Sequence, residues 1–209
     1  QLMQTVVQYI DTAMVGQLGT HATAAVGGTG TVAWLVNSTI SAIGIGFLAY
    51  ISQACGAGET HRAKRASAQA VTAVVVVGLF FTVLTLALSP YVPVWMQIDP
   101  AIQKLSSQYF FILYSPMLFR TASIIFGTVL RAAGDSKTPM ISGILVNIVN
   151  IVLNFLLIYP TTVYFGITVP GAGLGVVGAA IASAVAFTVG GIASVQNDPE
   201  SPLGKAAVL

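Results

Sequence analysis

The chain has 209 residues, 56% hydrophobic and only 7% charged, with a net charge of +2 and a mean hydropathy of +0.87. So few charges cannot cover a water-soluble globule, whose charged share is normally about 25%, and eight Lys and Arg are too few and too scattered for a nucleic-acid surface. An integral membrane protein remains, and 21 glycines suit one, because small residues let membrane helices approach closely.

Breaks at charged and Pro/Gly clusters leave six apolar segments: residues 1–16, 24–51, 66–89, 105–131, 138–160 and 172–195. Each is judged against the roughly 20 residues that a helix needs to cross about 30 Å of hydrocarbon. The first, at about 24 Å, falls short and reads as a helix that has lost its beginning. It holds Gln4, Gln8 and Asp11, spaced i, i+4, i+7 on one helix face. A carboxylate inside an apolar helix costs several kcal/mol unless it is protonated, paired or wetted, so Asp11 is a candidate functional residue; the plainer alternative is that it snorkels or caps near the helix end.

The second and third segments are joined by SQACGAGETHRAKRAS, with Arg62, Lys64 and Arg65; the fourth and fifth by LRAAGDSKTPM, with Arg131 and Lys137. The connections between the first and second and between the fifth and sixth segments carry no Lys or Arg. The positive-inside rule therefore orients the chain with its start and the basic loops in the cytoplasm, as a multi-pass protein of the plasma (inner) membrane. Lys104, in the third connection, argues weakly the other way. Tyr91, Trp95, Tyr159, Tyr164 and Phe165 fall near the outer ends, as an aromatic belt would. The single cysteine, Cys55, has neither a disulfide partner nor a metal-binding spacing.

In the fourth segment Pro116 predicts a kink, and Arg120 lies 11 residues before Arg131, too deep for easy snorkelling. It either lines a substrate cavity or pairs with helix-end carbonyls. The fifth segment carries a second polar stripe, Asn147, Asn150 and Asn154, spaced i, i+3, i+7. Counted from the outer helix ends, Asp11 and Asn154 lie at similar depth, as one hydrated pocket requires; for asparagines the alternative is simple interhelical hydrogen bonding. Residues 1–195 thus form one all-α membrane lobe, and the polar, Pro-containing residues 196–209 a cytoplasmic linker or tail.

Four stretches in register carry a resemblance: VQYIDTAMVGQLG (Val7 to Gly19), SQACGAGETHRAKRAS (Ser52 to Ser67), LRAAGDSKTPM (Leu130 to Met140), and NIVLNFLLIYP followed by GVVGAAIAS (Gly175 to Ser183). Together they resemble the N-terminal six-helix half of multidrug and toxic compound extrusion (MATE) transporters. The resemblance implies a twelve-helix antiporter of two lobes that expels cationic or amphipathic drug-like compounds in exchange for H⁺ or Na⁺, this chain supplying the first lobe and the second being its missing partner. It implies that Asp11 is the coupling acid, with Gln4, Asn150 and Ser183 around it; the polar residues themselves add Asn154 to the coupling site and place Gln8, Asn147 and Arg120 on the substrate cavity. Asn154 departs from members that place a second aspartate there. One carboxylate fewer weakens a Na⁺ site at Asp11 and favours H⁺, because hard cations want several oxygen ligands with negative charge.

A desolvated carboxylate can hold a proton at neutral pH and release it when its pocket is wetted or filled by a cation, so protonation can alternate with drug binding. Two other functions use the same features. A lipid-linked oligosaccharide flippase of the same wider superfamily would want a more cationic cavity than Arg120 alone provides, and a non-transporting membrane assembly subunit would use the polar stripes only to bind neighbouring helices. An enzyme is not expected, since no nucleophile with a base, metal-ligand cluster or phosphate loop is present, and no cofactor is implied.

Overall fold

A computed structural model describes residues 9–10, 12–164 and 167–196. Residues 12–16 are helical. Then follow α1 (Thr20–Gly56), α2 (Thr60–Leu88), α3 (Val92–Trp95), α4 (Pro100–Tyr114), α5 (Met117–Ala132) and α6 (Lys137–Ile158), an antiparallel hairpin of β1 (Pro160–Tyr164) and β2 (Ile167–Ala172), and α7 (Gly175–Gln196). Of these, α1, α2, α6 and α7 are each long and apolar enough to span a membrane, and α4 with α5 makes a fifth span when taken as one bent helix. The first segment of the sequence, residues 1–16, falls largely outside the described residues, as do residues 197–209 of the expected tail.

The helices run further than the apolar segments do. Thr60 to Ser67 is helical despite its charges, so the connection after α1 shrinks to residues 57–59 and Arg62, Lys64 and Arg65 become exposed residues of the first turns of α2. Glu59 pairs with Arg62 there, and the Arg62 guanidinium lies over the Tyr50 ring at 5.7 Å. Glu59 and Tyr50 both favour the charged guanidinium, raising the Arg62 pKa. Asp135 opens α6 by accepting from the backbone N–H groups of Lys137 (3.0 Å) and Thr138 (3.1 Å), a helix cap that leaves two terminal donors satisfied.

Burial is inverted relative to a soluble protein. Along α2 the buried stripe is Ala63, Ala66, Ala70 and Val74, while Val76, Leu79, Phe80 and Val83 are 51–68% exposed. The same holds along α6, where Ile141, Leu145, Ile148, Val152 and Phe155 recur at helical spacing on the exposed face while Ser142, Asn150 and Asn154 are buried. Small and polar residues inside with large apolar residues outside is the arrangement that hydrocarbon solvates and water does not. The fold is that of an integral, multi-pass membrane protein.

The chain forms two compact units. The first takes the chain up to Trp34, Leu84–Pro116 and Val146–Ala186; the second takes Leu35–Val83, Met117–Leu145 and the chain from Phe187 on. In the first, Ser89 donates to the Ser107 carbonyl (2.8 Å), and Asp99 caps α4 through the Ala101 N–H (2.9 Å). In the second, Gly44 of α1 faces Thr128 of α5, Gly78 of α2 faces Leu118 of α5, and Gly191 of α7 lies against the Phe119 backbone. The helix breaks at Ser115 and Pro116, between α4 and α5, where proline's missing N–H and its ring clash disrupt the ladder.

The hairpin is an element that the all-α sequence reading did not contain. Its strands pair Thr162 with Val169 and Tyr164 with Ile167. At its base the N–H groups of Gly173 and Leu174 donate to the carbonyls of Tyr159 and Leu157, each at 2.9 Å. Those two bonds set the register in which α7 returns along α6.

Candidate functional site

That register is closed by glycine. A Cβ at Gly178 would stand 2.5 Å from the Leu157 carbonyl oxygen and 2.7 Å from its carbon, so only a residue without one lets α7 come this close to α6. Ala179, Ala180 and Ala182 continue the small surface and are buried. Five residues beyond Gly178, Ser183 then arrives opposite Asn150, seven residues before Leu157, as antiparallel helices require.

The result is a hydrogen-bonded chain of three buried polar side chains. Asn154 Nδ2 donates to Asn150 Oδ1 at 3.1 Å, and Asn150 Nδ2 donates to Ser183 Oγ at 3.0 Å. Asn154 is fully buried, and Asn150 and Ser183 are each 8% exposed. Asn150 and Asn154 meet because they are four residues apart on one helix face, so the amide of one reaches the carbonyl of the other. Donors run one way along the chain, so each bond polarises the next in a medium of low dielectric.

The first unit also brings the end of the first segment beside α6. Tyr159 Oη lies 2.8 Å from Gln17 Oε1 and 3.3 Å from the Met14 carbonyl. The sequence reading did not single out Tyr159 or Gln17; tyrosine near a helix end gave only an aromatic-belt signal. Gln4, Gln8 and Asp11 themselves lie outside the described residues.

The remaining expected site residues lie elsewhere. Asn147 shares a helix with Asn150 and Asn154 but is half-buried beside the exposed Ile148, and no hydrogen bond among the described residues joins it to the other two. Arg120 belongs to the second unit, where its guanidinium carbon sits 4.2 Å from the Phe187 ring centroid. That cation–π contact is an arrangement that neither sequence-based alternative contained, and it gives a cation in a membrane helix a favourable aromatic face.

An open groove of about 590 Å³ in the first unit is lined by Leu86, Ser89, Pro90, Ser107, Gln108, Phe111, Ile112 and Val177. It is apolar with a few neutral polar groups, and none of the expected substrate residues lines it. No group of three His, Cys, Asp or Glu suited to a metal occurs among the described residues. Amide and hydroxyl groups of this kind orient and polarise a bound group, but they do not themselves exchange a proton at neutral pH.

The MatE family model matches residues 1–156. The chain belongs to the MatE family. It is 28% identical over 189 residues to the probable multidrug resistance protein NorM of Thermotoga maritima, a match covering 90% of this chain and 39% of that protein. With the probable multidrug resistance protein YoeA of Bacillus subtilis it shares 30% identity over 153 residues, covering 73% of this chain and 33% of that one.

Among solved structures, a MATE in complex with MaD3S superposes with a TM-score of 0.84 at 23% identity, covering 93% of this chain and 41% of that one. An inward-facing multidrug resistance MATE transporter of the MOP superfamily gives 0.80 at 23% identity over 96% of this chain and 44% of that one. At these identities the structures establish the shared all-α membrane fold. The MatE chain described here thus spans about two-fifths of the length of its relatives, the extent of one MATE transporter half.

Proposed function

We propose that this MatE chain is part of a secondary active antiporter that exports cationic or amphipathic drug-like compounds in exchange for H⁺, with Asp11 as the coupling acid. The observation that carries the reading is the buried Asn154–Asn150–Ser183 chain inside the membrane-spanning helices. Buried polar groups cost stability unless they are satisfied, and inside a membrane they mark pathways for ions and substrates. The contacts of Tyr159 with Met14 and Gln17 bring the described end of the first segment, which carries Asp11 in sequence, to the end of α6.

In this mechanism Asp11 takes a proton when its surroundings are dry and releases it when they are wetted or entered by a cation. The neutral amides and hydroxyl then serve to hold either form without a competing charge. Proton coupling is favoured over Na⁺ because Asn154 is an amide, leaving the site one carboxylate short of what a hard cation prefers. Amphipathic substrates fit an apolar groove with a few neutral polar groups such as that around Ser89 and Gln108. Arg120, the cation on which export of an anionic headgroup would draw, has Phe187 against its face. We place the protein in the plasma membrane with its N-terminus and basic loops in the cytoplasm.

The test is drug efflux in proteoliposomes carrying the full-length transporter under an imposed pH or Na⁺ gradient. Asp11→Asn is expected to abolish pH-driven efflux, with the Na⁺ gradient giving none in either protein. Unchanged pH-driven efflux in the variant would remove Asp11 from the mechanism.

A further inference from the structure

The two faces of α2 differ along its whole length. Arg65, Gln69, Thr72, Val76, Leu79 and Val83 follow one another at steps of three or four residues and all are exposed, so they form one stripe along the helix. The opposite face buries Ala63, Ala66 and Ala70, and Gly78 lies against Leu118. Helices that pack on one another in a membrane meet through small residues of that kind. The exposed stripe offers large side chains instead, a surface that acyl chains cover.

The stripe has the dimensions of one lipid. At about 1.5 Å per residue, Gln69 to Leu79 rises about 15 Å, the depth of one leaflet in a hydrocarbon core about 30 Å thick. Arg65 stands one turn, about 6 Å, further out, at the depth of the headgroups. Two cations gather at that end. Arg62 is already engaged, with Glu59 paired to it and the Tyr50 ring against its guanidinium at 5.7 Å. Lys64 and Arg65 are exposed and make no ion pair among the described residues. The apolar face therefore ends in two uncompensated positive charges, beside an aromatic ring of α1 that is half exposed.

We propose that this face of α2 binds an anionic phospholipid of the bilayer. The Arg65 guanidinium donates paired N–H bonds to two phosphate oxygens, Lys64 adds its charge, and one acyl chain lies along Thr72, Val76 and Leu79. Gln69, between the two regions, donates its amide to an ester carbonyl of the lipid. A zwitterionic lipid has the same phosphate but carries an ammonium that Lys64 and Arg65 repel, so the charge pair selects the anionic headgroup. The site uses no residue of the Asn154–Asn150–Ser183 chain and does not rest on the coupling reading.

The experiment is native mass spectrometry of the full-length transporter released from nanodiscs that hold equal amounts of phosphatidylglycerol and phosphatidylcholine with the same acyl chains. Wild type is expected to retain phosphatidylglycerol in excess. Arg65→Gln should lower the ratio of the two retained lipids about fivefold, the effect of one cation near a membrane surface. Arg65→Lys, which keeps the charge but not the paired bonds, should lose less, and Lys104→Gln should leave the ratio as it is. Added dihexanoyl phosphatidylglycerol or inorganic phosphate should not displace the retained lipid, because neither covers the stripe. Equal retention of the two lipids by wild type overturns the proposal. So does an unchanged ratio in Arg65→Gln, an equal fall in Lys104→Gln, or displacement by the short-chain lipid or by phosphate. If Arg65→Gln fails to fold, the wild-type retention and displacement measurements decide.

Discussion

Asn150 holds two partners at once, so removing it breaks two bonds of the polar chain. Leucine in its place leaves both Ser183 Oγ and Asn154 Nδ2 without the bonds they make now. We expect Asn150→Leu to destabilise the chain by about 1–3 kcal/mol, and Ser183→Ala, which removes one bond, by only about 0.6–1.7 kcal/mol. Unfolding titrations in mixed micelles measure both, and equal costs would mean that the chain is not coupled through Asn150. The two asparagines were legible from their spacing because a repeat along one helix needs no tertiary knowledge. Ser183 was not, except through family resemblance, since one serine in GVVGAAIASA has no periodic signal. Its place follows from the Gly173 and Leu174 hydrogen bonds and the Gly178 contact, which fix the register of α7 on α6.

At the scale of elements, glycine positions divide sharply by what lies next to them. Gly178 has the Leu157 backbone against it, which cannot swing aside as a side chain can, whereas a Cβ at Gly46 in α1 would meet nothing within 4 Å. Gly178→Ala is therefore expected to cost about 1–3 kcal/mol through overpacking. Gly46→Ala should be neutral or stabilise by up to about 1 kcal/mol, through helix propensity alone. Thermal melting of the two variants checks the contrast.

The cap of α6 gives a second expectation at this scale. The Thr138 hydroxyl and N–H, helped by the Lys137 N–H, hold the Asp135 carboxylate below its ordinary value of 3.8. A group depressed on folding contributes stability that is complete above its unfolded value and disappears as pH falls through the folded one. Asp135→Ala should thus melt below wild type at about pH 6, with the gap closing as the buffer approaches about pH 3. A gap that is constant with pH would show that the ionised carboxylate does not supply the cap.

Element boundaries were the less legible part of the sequence. Breaking the chain at charged clusters cut α1 and α2 short, because exposed helix turns beyond the hydrocarbon carry charge without ceasing to be helical. The hairpin did have a signal: TTVY and ITV are β-branched and aromatic runs on either side of Phe165 and Gly166. A search for apolar spans passes over such a signal.

For the whole molecule, orientation in the membrane rests on charge, and Cys55 offers a direct measurement of it. It is the chain's single cysteine, exposed near the C-terminal end of α1, two residues before the connection that leads to Arg62, Lys64 and Arg65. If the basic ends face the cytoplasm, a membrane-impermeant maleimide added outside intact cells should leave Cys55 unmodified and label it after permeabilisation. Labelling of intact cells would reverse the orientation. The same experiment bears on the positive-inside argument, because Lys104 in α4 is the charge that opposes it. One lysine against Arg62, Lys64, Arg65, Arg131 and Lys137 should not decide the topology. Replacing Lys104 with glutamine should therefore leave the Cys55 labelling pattern as it is, whereas removing the basic residues at the start of α2 should make that pattern mixed.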